Sequence, residues 1–528
     1  MPSGSKSTLL VSGFMGSGKS TVGRRAAELC SRPFVDLDAL IEAEAGRTVA
    51  EIFASEGEAG FRRREAEHLT KLLETPGERV VAVGGGALLD TTVRRAALAR
   101  AFVATLHASP ATLLSRTPGK SRPLLDVGDR GAAVKALLET RGPAYRECHA
   151  EVSTEAHGID EAARALVEAW SIPTIAVALG ARSYGVRFGA AGARHVVKAG
   201  RALAPSGAFV VTDANVAPLW GTTLAATFEA EGGPARATVT LEAGEEHKQL
   251  AAVETVLRSF IAEGADRSSL VVGHGGGVVT DIAGFAAATL FRGVRWVALP
   301  TTLLAMVDAS VGGKTGVDLG PAKNAVGAFH QPSAVAIDVA HVTTETFRNY
   351  RSGFAEVVKA ACIADPELFE ELEAGVDLGR ARDLAFVERL AFRSIAVKAA
   401  IVARDEHEQG ERVLLNFGHT VGHALESQGG FTKLTHGEAV SLGMIAALRV
   451  GERLGVTSAS VAARVRLLLE GFGLPVDLDA EPLEAALGLL AFDKKRRGGA
   501  IRVILLRALG EMVTEALTVE RLRDLLRK

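Results

Sequence analysis

The sequence predicts an α/β protein in three parts: a parallel-sheet domain at residues 1–171, a second α/β domain at 172–345, and a mainly helical metal-binding part at 346–528. Strand and helix patterns alternate in the first two parts, which favours parallel sheets covered by helices. Each of these parts also has a glycine-rich loop between a strand and a helix, and strand patterns become sparse after residue 346. Pro173 ends a helical pattern and marks the first boundary.

The composition is ordinary for a globular protein. The chain has 528 residues, 48% of them hydrophobic and 23% charged, which is ordinary for about three globular domains. A net charge of -2 argues against a nucleic-acid partner. No stretch approaches the roughly 18 apolar residues of a membrane span, and no signal-peptide pattern begins the chain. The three cysteines lack CxxC spacing, so we expect a cytoplasmic protein without disulfides or a thiolate zinc site.

The first domain is predicted to form one parallel sheet. A buried strand at 8–12 leads into a glycine-rich loop, and a helix follows from Lys19 to Cys30. Further strands are predicted at 34–38, 80–83, near 105–106 and at 151–153, with helices at 62–73 and 160–170.

The second domain is predicted to be Rossmann-like. Residues 175–188 have a hairpin-like pattern, and a later strand ends in polar residues at Asp213. Another strand, at 270–273, precedes Gly275-Gly276-Gly277. The segment 273–278 is not a proper G-x-G-x-x-G motif, because Val278 occupies the third glycine position. A glycine-rich loop between strand and helix could still accept a pyrophosphate.

The loop Gly13–Ser20 fits the phosphate-binding pattern G-x-x-x-x-G-K-S. Its backbone N–H groups are expected to hold phosphates, Lys19 to reach the outer phosphates, and Ser20 to ligate magnesium. The expected ATP and magnesium contacts are Gly16, Ser17, Gly18, Lys19, Ser20 and Thr21.

The C-terminal half contains cations and histidines in an apolar context. Four cations alternate with glycines, which favours an anionic, phosphorylated ligand over a solvated face: Arg292, Lys314, Lys323 and Lys359. His419 and His423 are four residues apart and share one face of a predicted helix. Together with His436 and an acidic residue they would suffice for a zinc site with an open position, and spacing alone favours the pair His419 and His423.

Residues 5–170 resemble shikimate kinase. The resemblance rests on the phosphate loop and on the motifs FVDLD at 34–38, FRR at 61–63, GGG at 84–86, RPLL at 122–125 and YR at 145–146. It implies that Asp36 acts near magnesium and that Asp38 holds the shikimate hydroxyls as a catalytic residue with Lys19. It also implies that Gly84, Gly85 and Gly86 line the pocket, that Arg62 and Arg146 clamp the substrate carboxylate, and that Arg122 approaches the phosphates from a mobile lid. Bidentate guanidinium groups suit a carboxylate.

Residues 175–528 resemble 3-dehydroquinate synthase. The matching motifs are GGGVVTD at 275–281, RGV at 292–294, PTTLL at 300–304, DASVGGKT at 308–315, GFAEVVK at 353–359, NFGHTVGH at 416–423, HGE at 436–438 and DKK at 493–495. Thr280 stands where many relatives have glycine, a departure that we expect to be tolerated.

This second resemblance implies the site residues. It makes Glu356, His419 and His436 the ligands of zinc or cobalt, and it turns His423 toward the substrate. Proton handling and catalysis would fall to Asp308, Lys314 and His423. The implied NAD contacts are Asp213, Asn215, Glu245, Lys248, Gly276, Gly277, Asp281, Thr301 and Thr302. The implied substrate contacts are Arg292, Asp308, Lys314, Lys323, Asn324, Lys359, Lys398, Arg412, Asn416 and His423, with one of Lys494 and Lys495.

The resemblances together imply a bifunctional enzyme of aromatic amino-acid biosynthesis. One half would phosphorylate shikimate with ATP and magnesium. The other would convert 3-deoxy-D-arabino-heptulosonate 7-phosphate to 3-dehydroquinate and phosphate with NAD and zinc, as a homodimer through the synthase part. Three alternatives stay open: a polyol dehydrogenase in the C-terminal half, which would not need four cations, another small-metabolite kinase in the N-terminal half, or a nucleotide-sensing module beside one live enzyme.

Overall fold

The structure is a computed structural model that describes residues 6–117, 129–155, 158–320, 322–495 and 500–527. By its internal contacts the chain divides into two compact units, residues 1–186 and 187–528. No helix in the described ranges is long and apolar enough to cross a membrane.

The first unit is built on a parallel sheet. Its strands are β1 Thr8–Gly13, β2 Phe34–Asp36, β3 Arg79–Ala82, β4 Phe102–His107 and β5 Ala150–Ser153. They lie in the order β2-β3-β1-β4-β5, and each neighbouring pair is parallel. The helices are α1 Lys19–Leu29, α2 Leu37–Ala45, α3 Val49–Glu74, α4 Thr91–Arg100, α5 Pro110–Ser115, α6 Arg130–Arg146 and α7 Ile159–Ser171. This confirms the predicted parallel-sheet domain.

Two apolar clusters bury the two faces of this sheet. Leu9 and Val11 of β1 pack with the α1 and α7 side, whereas Leu10 packs with the side of α2 and α3. Alternate residues of a strand point to opposite faces, and both faces of this sheet are covered, so all of β1 is buried.

One predicted strand is shorter than expected. We predicted a strand over 34–38, but β2 ends at Asp36 and α2 begins at Leu37. The Asp36 carboxylate accepts hydrogen bonds from the backbone N–H groups of Asp38 and Ala39 and so caps the helix. Asp38 is therefore presented by the first turn of a helix.

Two strands follow the first unit's last helix: β6 Thr174–Val177 and β7 Tyr184–Phe188, joined through a short turn at Gly180–Arg182. The division between the units falls within β7. This agrees with the hairpin-like pattern predicted for 175–188.

The second unit begins with an α/β part. Its strands are β8 Ala208–Asp213, β9 Ala237–Leu241, β10 Leu270–Gly275, β11 Arg295–Pro300 and β14 Ala334–Ile337, in the order β14-β11-β10-β8-β9 with parallel pairing. An antiparallel pair, β12 Lys314–Leu319 and β13 Ala322–Phe329, lies between β11 and β14 in the chain. The helices are α8 Gly192–Ala202, α9 Ala217–Ala230, α10 Leu250–Ala262 and α11 Gly277–Thr289.

The rest of the chain is mainly helical, as predicted. The helices are α12 Phe347–Ala364, α13 Pro366–Ala374, α14 Val376–Arg380, α15 Leu384–Arg404, α16 His419–Gln428, α17 His436–Arg453, α18 Ala459–Gly471, α19 Leu483–Lys495 and α20 Val519–Leu526. An antiparallel pair that the sequence analysis missed, β15 Ile501–Ala508 and β16 Glu511–Leu517, precedes α20.

Candidate functional sites

The phosphate loop joins β1 to α1 and has the predicted geometry. Gly13, Gly16 and Gly18 have φ of 138°, 81° and 92°, which L side chains rarely adopt. A Cβ on Gly13 would lie 2.3 Å from the Leu106 carbonyl oxygen. Ser20 Oγ donates to Asp36 Oδ2 at 2.6 Å, which brings the predicted magnesium ligand beside the predicted acidic partner.

Part of the predicted shikimate site lies beside this loop, where a Cβ on Gly85 would lie 3.5 Å from the Gly13 carbonyl oxygen. Gly84, Gly85 and Gly86 follow β3, and a Cβ on Gly84 would lie 3.0 Å from Asp38 Oδ1. A Cβ on Gly86 would lie 2.2 Å from Arg62 Cζ. The glycines therefore let this backbone lie directly against Asp38 and Arg62.

Glu65 is a pocket residue that the sequence analysis missed. It is buried and forms an ion pair with Arg62, and a Cβ on Gly84 would lie 2.1 Å from its Oε1. Within the described ranges, neither Glu65 Oε1 nor Asp38 Oδ1 has a hydrogen-bond partner. Burial raises the pKa of Glu65 to about 7 and also raises the pKa of Asp38. Glu65 lies three residues after Arg62 on the same helix, and this spacing was the sequence signal that could have predicted the ion pair.

Arg146 lies at the end of α6, where Nη1 donates to the Ala181 carbonyl oxygen at 3.2 Å. The next residue, Glu147, accepts from the Gly180 backbone N–H at 2.9 Å and forms a largely buried ion pair with Arg94. Among the described residues, no hydrogen bond or ion pair joins Arg146 to the rest of the predicted shikimate site. Arg122 lies outside the described residues.

The glycine loop of the second unit connects β10 to α11. Gly276 precedes the helix, and a Cβ there would lie 3.2 Å from Thr302 Cγ2. Thr301 Oγ1 is buried and has no hydrogen-bond partner in the part of the chain that the structure describes. The Thr280 hydroxyl donates to the Gly277 carbonyl at 3.0 Å, so threonine is accommodated inside the helix. Asp213 Oδ1 accepts from the backbone N–H of Asn215 at 2.9 Å at the end of β8.

Three helices of the second unit approach closely through glycines. A Cβ on Gly443 of α17 would lie 1.7 Å from the carbonyl oxygen of Gly418, the residue before α16. A Cβ on Gly437 would lie 1.9 Å from the carbonyl oxygen of Ser352 in α12. Without these glycines the helices could not lie this close, and α12, α16 and α17 carry Glu356, His419 and His436 respectively.

The predicted metal ligands converge. His419 Nε2 and His436 Nε2 each lie 3.7 Å from Glu356 Oε1. That oxygen is buried and accepts no hydrogen bond in the described part of the chain, so it fits the role of a metal ligand. His419, His423 and His436 also place one nitrogen each within 4.8 Å of the others. The geometry thus allows His423 as a ligand, but the unpartnered Glu356 oxygen favours the set implied by the resemblance.

A cavity of about 510 Å³ adjoins these histidines. Most of the predicted substrate residues line it: Asp308, Lys314, Asn324, Lys359, Lys398, Arg412, Asn416 and His423. Four of the predicted cations line the cavity: Lys314, Lys359, Lys398 and Arg412.

Two predicted substrate residues with described side chains, Arg292 and Lys323, do not line this cavity. Arg292 is exposed, and Phe291, Arg292 and Gly293 all have positive φ in a tight turn. Lys323 lies near the nucleotide residues, 3.3 Å from Glu245. The side chains of Lys494 and Lys495 lie outside the described residues.

Buried charges tune the cavity. Burial by itself would raise the pKa of Asp308, but the charges of Lys398 and Lys359 lower it. Lys398 Nζ also donates to the Asp308 backbone carbonyl at 2.6 Å. Burial, followed by His436, lowers the pKa of His423 to about 4. His423 is therefore neutral at pH 7 and available as a proton acceptor.

Family models match both halves of the chain. The model described as shikimate kinase matches residues 15–171, and the models described as 3-dehydroquinate synthase N-terminal and C-terminal match 238–352 and 353–496. Among curated proteins, 3-dehydroquinate synthase of Halorhodospira halophila is 45% identical over 351 residues, which cover 66% of this chain and 98% of that protein. The same enzyme of Geobacter metallireducens is 42% identical over 67% of this chain and 96% of its own.

Solved structures show the same fold for the second unit. The 2-epi-5-epi-valiolone synthase of Streptomyces hygroscopicus, with NAD+ and Zn2+ bound, is 30% identical with a TM-score of 0.59, covering 65% of this chain and 95% of its own. A 2-deoxy-scyllo-inosose synthase complexed with carbaglucose-6-phosphate, NAD+ and Co2+ is 25% identical with a TM-score of 0.60, covering 67% and 99%.

Fold and sites define a phosphate-loop kinase joined to an α/β enzyme with a histidine- and cation-lined cavity. The chain belongs to the 3-dehydroquinate synthase family and carries a shikimate kinase domain in its N-terminal part. It is a bifunctional enzyme of the shikimate pathway.

Proposed function

We propose that the first unit phosphorylates shikimate to shikimate 3-phosphate and that the second converts 3-deoxy-D-arabino-heptulosonate 7-phosphate to 3-dehydroquinate and phosphate. The observation that carries the second assignment is the unpartnered Glu356 oxygen between two histidine nitrogens, beside a cavity with four cations. Four cations that converge on one cavity suit an anionic substrate better than an uncharged polyol, and three of them also pair with carboxylates: Lys314 with Glu408, Lys359 with Glu356 and Lys398 with Asp308.

In the kinase, the chain's own residues position and neutralise charge. The loop backbone and Lys19 would hold the phosphates of ATP, while Ser20 and Asp36 would hold magnesium. Asp38 accepts the hydroxyl proton of shikimate. Burial raises its pKa toward pH 7, which makes the carboxylate a stronger base. Arg62 and Arg146 bind the carboxylate, and positioning supplies most of the catalysis of phosphoryl transfer.

In the synthase, Glu356, His419 and His436 would hold a zinc or cobalt ion, since these donor types suit such a metal and converge here. A bound ion would polarise a substrate hydroxyl. The loop at Gly276 and Gly277, with the N-terminus of α11, fits a pyrophosphate, and the unpartnered Thr301 hydroxyl supports a ligand there. Bound NAD would accept a hydride and return it.

The cavity residues would handle the substrate. The cations hold its phosphate and carboxylate, and Lys398 orients Asp308. His423, neutral at pH 7, accepts a proton from the carbon or hydroxyl beside it.

We also propose that the synthase part acts as a homodimer. Arg292 is a substrate residue by resemblance, yet it is exposed and does not line the cavity of its own chain. A second copy could bring this arginine to the site. Inactive chains carrying Arg292→Ala or Glu356→Gln should then regain activity when mixed, and an absence of recovery would argue against the dimer.

Two assays on the purified chain test the whole proposal. One follows phosphate release from the heptulosonate phosphate with NAD, and the other follows ADP formation with shikimate. Removing the tightly bound metal and restoring only magnesium should abolish the first activity and leave the second. Full synthase activity without bound metal would contradict the ligand assignment.

A further inference from the structure

Glu426 is a buried carboxylate of α16 that no step above uses. Only 3% of it is exposed. Its Oε1 accepts from Lys323 Nζ at 2.8 Å, and its Oε2 lies 3.3 Å from His436 Nδ1. A charge is rarely buried without paired partners, and both partners here are site residues.

The contact with His436 determines how that histidine can serve a metal. His436 Nε2 faces Glu356 Oε1 at 3.7 Å, whereas Nδ1 faces Glu426. A carboxylate at Nδ1 holds the proton there and leaves the lone pair on Nε2. Metal-binding histidines almost always donate their second N–H to such an acceptor, which fixes the ring and strengthens the ligand.

The contact with Lys323 extends toward the nucleotide loop. Lys323 Nζ lies 3.3 Å from Glu245, which lies 3.9 Å from Lys248 Nζ. Lys248 in turn pairs with Asp281 of α11 at 2.6 Å. Charges of alternating sign thus connect His436 with the helix that follows the glycine loop.

This row of charges is largely shielded from water. Lys248 and Glu426 are buried, whereas 14% of the Lys323 side chain and 27% of the Glu245 side chain are exposed. Ion pairs that are shielded from water interact strongly, so a change in the charge of one pair alters the strength of the neighbouring pair. A metal ion bound by His436 would attract the negative charge of Glu426. The attraction between Glu426 and Lys323 would change, and with it the strength of the ion pair between Lys323 and Glu245.

We propose that Glu426 is a positioning residue that orients His436 for the metal and, through Lys323 and Glu245, couples metal binding to NAD binding. The inference rests on the proposed function for the identity of both ligands. A purely structural counter-ion for Lys323 would produce neither effect.

The variant Glu426→Gln, made in the full chain, keeps the shape and an oxygen for Lys323 but removes the charge. Zinc affinity, measured by competition with a chromogenic chelator, should fall about 10- to 100-fold. NAD affinity, measured by titration, should differ between the zinc-bound and zinc-free forms of the unchanged protein. In the variant the ratio of these two NAD affinities should be at least threefold smaller. Thermodynamic linkage then requires that the effect of NAD on zinc affinity decrease by the same factor.

Glu481→Gln is the matched control. Glu481 also accepts from a lysine, Lys433 Nζ at 2.8 Å, and within the described segments no hydrogen bond or ion pair joins it to the metal or NAD residues. This variant should bind zinc and NAD as the unchanged protein does. If Glu426→Gln does not fold, the double variant Glu426→Gln with Lys323→Gln removes both buried charges and should still bind zinc at least 10-fold more weakly.

The outcomes separate the two proposals. A chain that binds neither zinc nor NAD would refute the proposed function. A chain that binds both, but whose zinc affinity is unchanged by Glu426→Gln, overturns the positioning role. Weaker zinc binding with an unchanged zinc effect on NAD overturns the coupling.

Discussion

The close packing of α16 on α17 should be required for metal binding, and Gly443→Ala tests this directly. A Cβ at this position would lie 1.7 Å from the Gly418 carbonyl oxygen, whereas ordinary contact begins at 3.4 Å. The added Cβ and the Gly418 carbonyl oxygen must therefore move apart by about 1.7 Å. Gly418 immediately precedes His419, so this displacement moves one ligand relative to His436. Metal–ligand distances tolerate changes of only about 0.2 Å.

The energetic effect can be bounded. Inserting a methyl group into a packed contact costs about 1–3 kcal/mol. In the metal-free protein the helices can separate and relieve part of this strain, but the metal-bound protein must keep them together. If the zinc-bound state alone bears the cost, zinc affinity falls about 5- to 150-fold.

The assay is chelator competition for zinc, together with the melting temperature and both activities. Gly221→Ala is the control, because Gly221 lies in helix α9 and a Cβ there meets nothing within 4 Å. That change should leave zinc affinity unchanged and should stabilise the helix by up to about 1 kcal/mol. Kinase turnover should be the same in both variants. If Gly443→Ala binds zinc as tightly as the unchanged chain, glycine packing does not set the ligand geometry.

Four further predictions concern other sites. Arg146→Lys should raise the KM for shikimate and leave that for ATP unchanged, since lysine loses the bidentate geometry; an unchanged shikimate KM would remove Arg146 from the site. Lys19→Met should abolish kinase activity and leave synthase turnover within about twofold, and a large synthase loss would show that the units are not independent. A chain cut after residue 186 should have a lower shikimate KM than one cut after 171, because Ala181 and Gly180 contact Arg146 and Glu147; equal values would refute this support. Burial raises the pKa of Glu345 to about 7, whereas the unfolded chain has a glutamate pKa of about 4.5. The stability that the protonated carboxyl contributes is therefore lost as the pH rises from about 4.5 to 7. Glu345→Gln should raise the melting temperature at about pH 8 but not at about pH 4.

The sequence was most informative where chemistry depends on local order. The loop Gly13–Ser20 and the apolar strands around it follow from residues that are neighbours in the chain, so spacing predicts them. It was less informative where two signals compete. The FVDLD segment is as apolar as a strand, but Asp36 caps a helix, so the strand is shorter than predicted. The pair β15 and β16 was missed because its strands lie among strong helical patterns.

The amino-acid sequence by itself determined the α/β class, the two families and the set of candidate residues, because these depend on residue type and spacing. Only the tertiary structure decided which residues meet. It brought Glu356 within 3.7 Å of His419 and His436 although 63 and 80 positions separate them, and spacing alone would have paired His419 with His423. It also located Glu65 and Glu426, whose buried carboxylates are indistinguishable in sequence from solvated helix positions. Burial and contact depend on how separate helices pack, and that packing is not encoded in any local pattern.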